Sequence, residues 1–226
     1  MRDDAALLVA LQHADSFFPG GGTAFSWGLE PLHGDGRVAD AAAVERFLGT
    51  QIERRWASCD RPFLVAAHRA AGDLGRIAGI DRVYMAMVLP RELREGAVRA
   101  GGALLEIHRR LATAGAADYR ALVRDAGASG ALPVVQGFVW RACGIEEAAA
   151  AALSAHALSV GVVGAAIRLG IIGHVAAQAI IMAMRPLIAA QLAEPALEIE
   201  EAHSFAPAAD IAAMRHETQT ARLFAN

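Results

Sequence analysis

The feature that most constrains the fold is an uncharged apolar stretch in the second half of the chain. The twenty residues from Ala148 to Ile167 carry no formal charge, and the apolar character continues to Leu192. Such a segment is long enough to span a membrane. It nevertheless contains Ser154, His156 and many alanines, and it lacks an aromatic belt and clear flanking basic loops. We therefore favour a central helix buried in a soluble bundle, with a membrane-associated helical protein as the alternative.

The rest of the chain also has a helical pattern. Aromatic residues make up only 6% of it, so the core must consist mainly of Ala, Leu, Val and Ile. Neither strand-like alternation nor an internal repeat is visible, which predicts an all-α, single-domain helical bundle over residues 1–226. Glycines around 170–173 and Pro186 should divide the long apolar stretch into more than one helix. Further helices are predicted at 5–14, 23–30, 41–58, 61–71, 73–88, 91–113, 118–126 and 134–143, with a last one beginning near Ala208.

Two helix boundaries carry specific signals. Asp40 is expected to cap the helix over 41–58, because an aspartate side chain accepts from the free backbone N–H groups of a first turn. Pro31 is expected to end the short helix over 23–30.

Charge and cysteine content exclude several classes of protein. The net charge of −3 gives no electrostatic footprint for nucleic acid. All 21 basic residues are arginine, which excludes a Schiff-base or P-loop lysine. Cys59 and Cys143 are expected to be free thiols, since no CxxC pattern is present. The N-terminus does not read as a signal peptide, so we expect a cytoplasmic protein.

No catalytic or metal-binding constellation emerges from the spacing of residues. His216-Glu217 begins like the zinc motif HExxH, but Thr220 stands where the second histidine is required. No two of the eight histidines are three or four residues apart. The glycines at 20–22 lack the context of a phosphate loop, and we interpret them as a break between helices. We expect a protein that is not an enzyme; a small all-α enzyme with an unrecognised site is the alternative.

A charged run lies at the start of the helix predicted over 91–113. Arg91 and Glu95, and Glu95 and Arg99, are opposite charges four residues apart, a spacing that stabilises an exposed helix. A solvated face and a partner-binding face are both compatible with this run.

The C-terminus combines charge with an apolar anchor. Residues 215–226 contain two arginines, a histidine, a glutamate and the pair Leu223-Phe224. Chain termini are usually chemically bland, so this pattern is typical of a docking arm. We expect residues 1–22 and 208–226 to be mobile arms that bind partners.

The same segment carries the sharpest family resemblance. The tail RHETQTARLF, residues 215–224, is similar to RHETQYSRLF near the end of the urease accessory protein UreF. Near the N-terminus PGGGTAFSWGLE, residues 19–30, resembles PVGAFSYSHGLE of that family. The run Arg91–Arg94 resembles the family's RELR. Residues 167–181 align with IKLVPLGQTAGQRLL, with Ile171, His174 and Ala177 departing from it.

The UreF resemblance implies an all-α, non-catalytic protein that assists nickel insertion into apo-urease. In that family UreF binds the accessory protein UreD (also called UreH), dimerises and recruits the GTPase UreG. The complex delivers the nickel, so no tightly bound cofactor or metal is expected in this chain, and neither a nucleic-acid nor a membrane partner. The implied partner-binding residues are Arg215, His216, Glu217, Thr218, Gln219, Arg222, Leu223, Phe224, Pro19, Gly21, Ser26, Gly28, Glu30, Gly173 and Gln178.

We assign these residues to two surfaces. The tail should dock UreD, with Leu223 and Phe224 burying apolar area and Arg215 and Arg222 pairing with partner carboxylates. The segments 20–30 and 173–178 should pack near the dimer centre and help to form the UreG-facing surface, because glycines permit close backbone approach.

Overall fold

The fold is all-α. The computed structural model describes residues 4–15, 17–19, 25–70, 72–219 and 223–224, and within these ranges it contains no strand. The first half holds α1 (Asp4–Ala14), α2 (Leu29–Gly34), α3 (Ala41–Gln51), a π-helix (Ile52–Asp60), α4 (Arg61–Arg69) and α5 (Leu74–Met87). The second half holds α6 (Arg91–Arg110), α7 (Ala116–Arg124), α8 (Leu132–Ala142), α9 (Glu147–Arg168), α10 (His174–Ala193) and α11 (Pro207–His216). The predicted all-α bundle is confirmed.

Helix boundaries follow the predicted signals in part. Asp40 does cap α3, its carboxylate accepting from the backbone N–H of Ala43 at 2.8 Å. The prediction that Pro31 ends a helix is wrong, because residues 25–28 are not helical and Pro31 lies in the first turn of α2. A first-turn N–H has no intrahelical partner in any case, so proline costs little there. Pro186 likewise lies inside α10 and does not divide it, whereas the break at Gly170 was predicted correctly.

The helix predicted over 41–58 changes character halfway. At Ile52 it becomes a π-helix, in which each backbone bond reaches one residue further than in an α-helix. Two backbone carbonyl groups of the π-helix accept hydrogen bonds from the linker before α11. The carbonyl of Arg54 accepts from the N–H of Phe205 at 2.9 Å, and the carbonyl of Ser58 accepts from the N–H of His203 at 2.8 Å. The irregular helix thereby directs the chain into α11.

The core consists of two hydrophobic clusters that share the central helix α9. One cluster is formed mainly by α4, α5, α6 and α8, and the other by α3, the π-helix, α10 and α11. Ala150 and Leu153 of α9 belong to the first cluster, whereas Ala155 and Val162 belong to the second. The expected long central helix is therefore present and joins both halves of the core.

Small residues set the closest helix contacts. A Cβ atom at Gly137 of α8 would lie 2.2 Å from the carbonyl oxygen of Leu64 in α4. One at Gly101 of α6 would lie 2.0 Å from the carbonyl oxygen of Gly130. Both separations are far inside van der Waals contact, so α8 can approach α4, and α6 can approach the loop before α8, only because no side chain is present.

Helices α9 and α10 are both long and apolar enough to cross a membrane by length and composition alone. In α9, 61% of the most apolar 18-residue stretch is buried within the protein, as in the core helix of a soluble bundle. In α10 the corresponding share is 22%, and this helix packs against α3, α9 and the π-helix. Length and composition of this kind are weak indications of a membrane span.

Candidate functional site at the seat of the C-terminal segment

The C-terminal segment, which we define as Pro207–Gln219 with Leu223 and Phe224, packs back onto its own domain. Helix α11 contacts α2 and α6. Its buried positions are Ala209, Ala212, Ala213 and His216, spaced as one face of a helix. Three of these four side chains are a single methyl group, so α11 can lie close to the residues beneath it. We call the surface beneath this segment, which includes Gly28, Glu30, Asp35, Glu92 and Arg168, the seat.

Gly28 makes the closest approach between the seat and α11 possible. Its backbone φ is +83°, in the left-handed region that side chains disfavour. A Cβ atom there would lie 2.5 Å from the carbonyl oxygen of Ala209. Glycine is therefore required twice at this position, once for the backbone conformation and once for space.

His216 lies between two carboxylates at the centre of the seat. Its Nδ1 atom is 2.7 Å from Oε2 of Glu92 in α6, and its Nε2 atom is 3.1 Å from Oε2 of Glu30 in α2. The ring is completely buried. Each carboxylate lies within hydrogen-bond distance of one ring nitrogen, and the resulting hydrogen-bonded triad ties three separate helices together.

Glu30 also holds the end of the segment. Its Oε1 atom accepts from the backbone N–H of Leu223 at 2.8 Å, and its Oε2 atom accepts from that of Phe224 at 3.2 Å. One carboxylate thus satisfies backbone donors that would otherwise lack a helical or strand partner. Because Glu30 lies in the first turn of α2, the helix that directly follows Gly28, the N-terminal and C-terminal motifs are joined directly.

The two apolar residues of the tail have opposite environments. Phe224 is buried, with 6% of its surface exposed, and the guanidinium carbon of Arg168 lies 4.1 Å from its ring centroid. Leu223 is 70% exposed. Phe224 therefore anchors the segment to this chain, whereas the side chain of Leu223 faces solvent.

Two ion pairs flank the buried triad at the surface. Arg215 donates to both carboxylate oxygens of Asp35, at 2.7 and 3.2 Å. The hydrogen bond from this guanidinium lowers the pKa of Asp35 below its ordinary value. Glu217 accepts from Arg91 at 3.0 Å. Exposed pairs of this kind contribute little free energy, so they orient the segment more than they stabilise it.

The C-terminal segment and the linker before it also expose apolar side chains to solvent. Ile211 and Met214, three residues apart on the outer face of α11, are both exposed. Phe205, just before the helix, and Leu223, after it, are exposed as well. We call Phe205, Ile211, Met214 and Leu223 the exposed strip. Large exposed apolar patches mark protein interaction sites, so these four side chains are the candidate interaction residues of this part of the chain.

The other predicted tail residues have local roles. The Thr218 hydroxyl donates to the carbonyl of Arg215 at 3.0 Å, and the backbone N–H of Gln219 donates to the carbonyl of His216 at 3.1 Å. Arg222 lies outside the described residues, as does Gly21 of the N-terminal motif.

The remaining predicted residues are divided between the N-terminal motif and α10. Ser26 is fully buried next to the seat's Gly28, whereas Pro19 is exposed. Gly173 precedes the first residue of α10, and Gln178 follows one turn later; both are exposed. Ile172 and Ala177 of this region share a hydrophobic cluster with Leu29 of α2. The structure therefore unites the N-terminal motif with the tail and leaves Gly173 and Gln178 on the outer surface of α10.

Sequence reasoning missed Glu92, Asp35 and Arg168 as members of the site. Glu92 belongs to the charged run Arg91–Arg99, where it is buried while Arg91, Glu95 and Arg99 are half or more exposed. The signal that could have found it is periodicity: Glu92 and Leu93 lie on the side of α6 that continues through Ala97 and Ala100, which are also buried. Metal-ligating groups within reach of one another lie elsewhere in the described residues, at His13, His108 and Cys143.

Taken together, the helical fold and the seat define a class of all-α proteins in which a C-terminal helix packs back onto the bundle and exposes apolar side chains on its outer face. The family model for UreF matches residues 38–185 of this chain. The chain is 32% identical to "Urease accessory protein UreF" of Trichodesmium erythraeum, covering 99% of this chain and 98% of that protein. It is 31% identical to the protein of the same name from Bradyrhizobium sp. (strain BTAi1), covering 98% and 92%.

A third relative of that name, from Rhodopseudomonas palustris (strain HaA2), is 35% identical over 92% of this chain and 88% of its own length. The chain therefore belongs to the UreF family of urease accessory proteins. Its relatives are named as accessory proteins rather than as urease itself, which agrees with the expectation that this chain is not an enzyme.

Proposed function

We propose that this chain is a cytoplasmic scaffold of urease maturation. It bridges UreD (UreH) and the GTPase UreG, works as a homodimer, and so assists nickel insertion into apo-urease. In this role nickel is cargo of the complex. The chain supplies surfaces that hold other proteins in place, and the free energy comes from apolar burial and charge complementarity at those surfaces.

The observation that carries this proposal is the exposed strip on an anchored C-terminus. Phe205, Ile211, Met214 and Leu223 are exposed although the segment itself is fixed by the triad at His216 and by Phe224. A partner that binds the strip meets a surface whose backbone is already ordered. Binding to a preordered segment costs less conformational entropy than ordering a free tail, which favours affinity. We assign UreD to this strip.

A second surface lies on the outer face of α10. Val175 is 86% exposed and Met182 is 59% exposed, and they lie seven residues apart, which is about two helical turns. Gly173 and Gln178 belong to the same exposed region. An exposed apolar helix face of this length needs a partner in an assembled complex. We assign it to the dimer centre and the UreG-facing surface.

Co-expression with UreD and UreG, followed by size-exclusion chromatography with and without GTP, tests the proposal. The variant carrying Met214→Glu and Leu223→Asp should lose UreD, because charge would have to be buried at the interface. Leu111→Asp is the matched control. Leu111 is similarly exposed, but it follows the C-terminal end of α6, whereas α11 contacts Glu92 at the N-terminal end. Full co-purification of UreD with the double variant would refute the assignment of the strip. These substitutions are sharper than deletion of residues 215–226, which would also remove His216 and Phe224 from the core.

The α10 surface needs its own variant. Val175→Glu should shift the complex to a smaller species and reduce UreG recruitment, while UreD binding is retained. Val83→Glu, on the exposed side of α5, is the control for a surface valine replaced by charge. An unchanged assembly with UreG would contradict the role of α10 and leave the assignment of the exposed strip intact.

A further inference from the structure

Helix α1 meets α6 and α8 at a cluster of nitrogen and sulfur groups. His13 lies in the last turn of α1, His108 in the last turn of α6, and Cys143 directly after α8. One ligand atom from each of the three side chains lies within 4.8 Å of the others. His108 is sixteen residues from Glu92 along α6, or about 24 Å, so this cluster is separate from the seat.

The hydrogen bond of His13 determines which of its ring nitrogens is free. Its Nδ1 atom lies 2.7 Å from the carbonyl oxygen of Val9. A carbonyl can only accept, so Nδ1 carries the hydrogen and Nε2 of the neutral ring presents a lone pair. That lone pair faces Nε2 of His108 at 3.0 Å. A lone pair held in this way needs a proton or a cation opposite it.

His108 can supply either a proton or a second lone pair. Its Nδ1 atom lies 2.9 Å from the Thr113 hydroxyl oxygen. If the hydroxyl donates to Nδ1, then Nε2 carries the hydrogen and donates to His13. If the hydroxyl accepts from Nδ1, then Nε2 presents a lone pair next to that of His13. Because a hydroxyl can rotate between these roles, the cluster accommodates a metal ion without rearranging its outer hydrogen bonds.

We propose that His13, His108 and Cys143 form a binding site for a borderline-soft transition-metal ion of the Zn²⁺ type. Two imidazoles and a thiolate are the donor set that such ions prefer. Ideal tetrahedral coordination places two nitrogens about 3.3 Å apart and a nitrogen and a sulfur about 3.6 Å apart. The two Nε2 atoms are 3.0 Å apart, and Cys143 Sγ lies 3.8 Å from Nδ1 of His108, on the other side of the same ring. Coordination through both Nε2 atoms therefore requires the two rings to separate slightly and the Cys143 side chain to turn toward Nε2 of His108.

The surroundings are suited to such a site. The ring centroids of Phe18 and His13 are 4.4 Å apart. The ring of Trp140 lies nearly perpendicular to that of His13, with their centroids 6.3 Å apart. These aromatic groups exclude water from one side, which strengthens the attraction between an ion and its ligands. His13 and Cys143 are only partly buried, so the ion has a path of entry and a fourth coordination position open to water or to a partner group.

The ion would fasten the N-terminal helix to the bundle. None of the described side chains of α1 is buried, and only a few of its residues pack against the core, including Val9, Ala10 and Ala14. A bond from His13 to ligands on α6 and α8 therefore adds a strong tether to a weakly packed helix. This proposal is independent of the scaffold function and concerns the chain by itself.

Titration of the purified, metal-free full-length chain with Co²⁺ tests the site. Co²⁺ reports the ligands directly, because a bound thiolate gives a near-ultraviolet charge-transfer band and tetrahedral coordination gives intense visible bands. One equivalent should bind, Zn²⁺ should displace it, and amide exchange of residues 4–14 should slow at least tenfold. Cys143→Ser should abolish the charge-transfer band, and His13→Leu should weaken binding at least tenfold. Both positions are only partly buried, so these variants should fold.

Matched controls separate the site from adventitious binding. His174→Gln removes an exposed histidine, and Cys59→Ala removes the other thiol, and both should bind Co²⁺ as the parent chain does. The absence of a charge-transfer band, or equal binding by the His13→Leu variant, would overturn the proposal and identify the cluster as a hydrogen-bonded histidine pair only.

Discussion

The Nδ1 atom of His216 lies 2.7 Å from Oε2 of Glu92, and this buried hydrogen bond joins residues 124 positions apart in the chain. The other ring nitrogen bonds Glu30, so the three segments that resemble UreF most closely converge on one imidazole. The C-terminal segment is consequently a part of the folded domain. Its outward side chains, rather than its whole length, are what a partner can contact.

Changing one carboxylate of the triad should destabilise the fold. Glu92→Gln replaces a buried carboxylate with an amide that must present either a donor or an acceptor to His216. Disturbing one partner of a buried hydrogen bond typically costs about 1–3 kcal/mol. Chemical denaturation should show this loss. Glu95→Gln, three residues later on the exposed face of α6, should cost less than about 1 kcal/mol. Equal effects of the two variants would contradict the role given to the triad.

Gly28→Ala should displace α11. The substitution combines left-handed backbone strain of about 1–2 kcal/mol with a clash against the carbonyl of Ala209. Gly36→Ala is the control, since Gly36 has φ +72° but its Cβ atom would meet open space. Thermal unfolding should therefore show an additional loss of about 1–3 kcal/mol for Gly28→Ala relative to the control. No difference between the two would mean that the close approach is not a constraint.

The contact between Asp35 and Arg215 should depend on pH and should be lost in acid. Because Arg215 lowers the pKa of Asp35, this contact is present above the ordinary value of 3.8 and is lost as the pH falls through the lower folded value. A carbon-detected NMR titration of the carboxyl group should place its pKa below 3.8 and return it toward that value in Arg215→Gln. The pKa of Asp125, which is lowered by its own neighbour Arg124, should not move in that variant.

Phe224 and Leu223 should respond oppositely to truncation. Phe224→Ala empties a buried position beneath Arg168 and should destabilise the domain by about 3–5 kcal/mol. Leu223→Ala should change stability by no more than about 0.5 kcal/mol, because its side chain is mostly in solvent. Urea denaturation measures both. A large stability loss in Leu223→Ala would show that this residue, too, is part of the core.

The helices could be predicted from the sequence because their signals are local. Asp40 caps α3 through a bond to Ala43 three residues away, and the glycine at 170 breaks the long apolar stretch. The two misplaced boundaries involve proline, whose effect depends on its position within a helix. At Pro31 the missing donor falls in a first turn, and at Pro186 the surrounding packing of α10 keeps the helix continuous.

By itself, the sequence determined the all-α class, the central helix α9 and the family, since periodicity and short motifs are carried by neighbouring residues. Only the tertiary structure decided what the motifs do. It brought Glu30, Glu92 and His216 together and divided the tail into an anchored side and an exposed strip. It also placed His13 beside His108, although their spacing of 95 residues gives no sign of a shared site. These contacts depend on how helices distant in sequence pack, and packing is a property of the whole core.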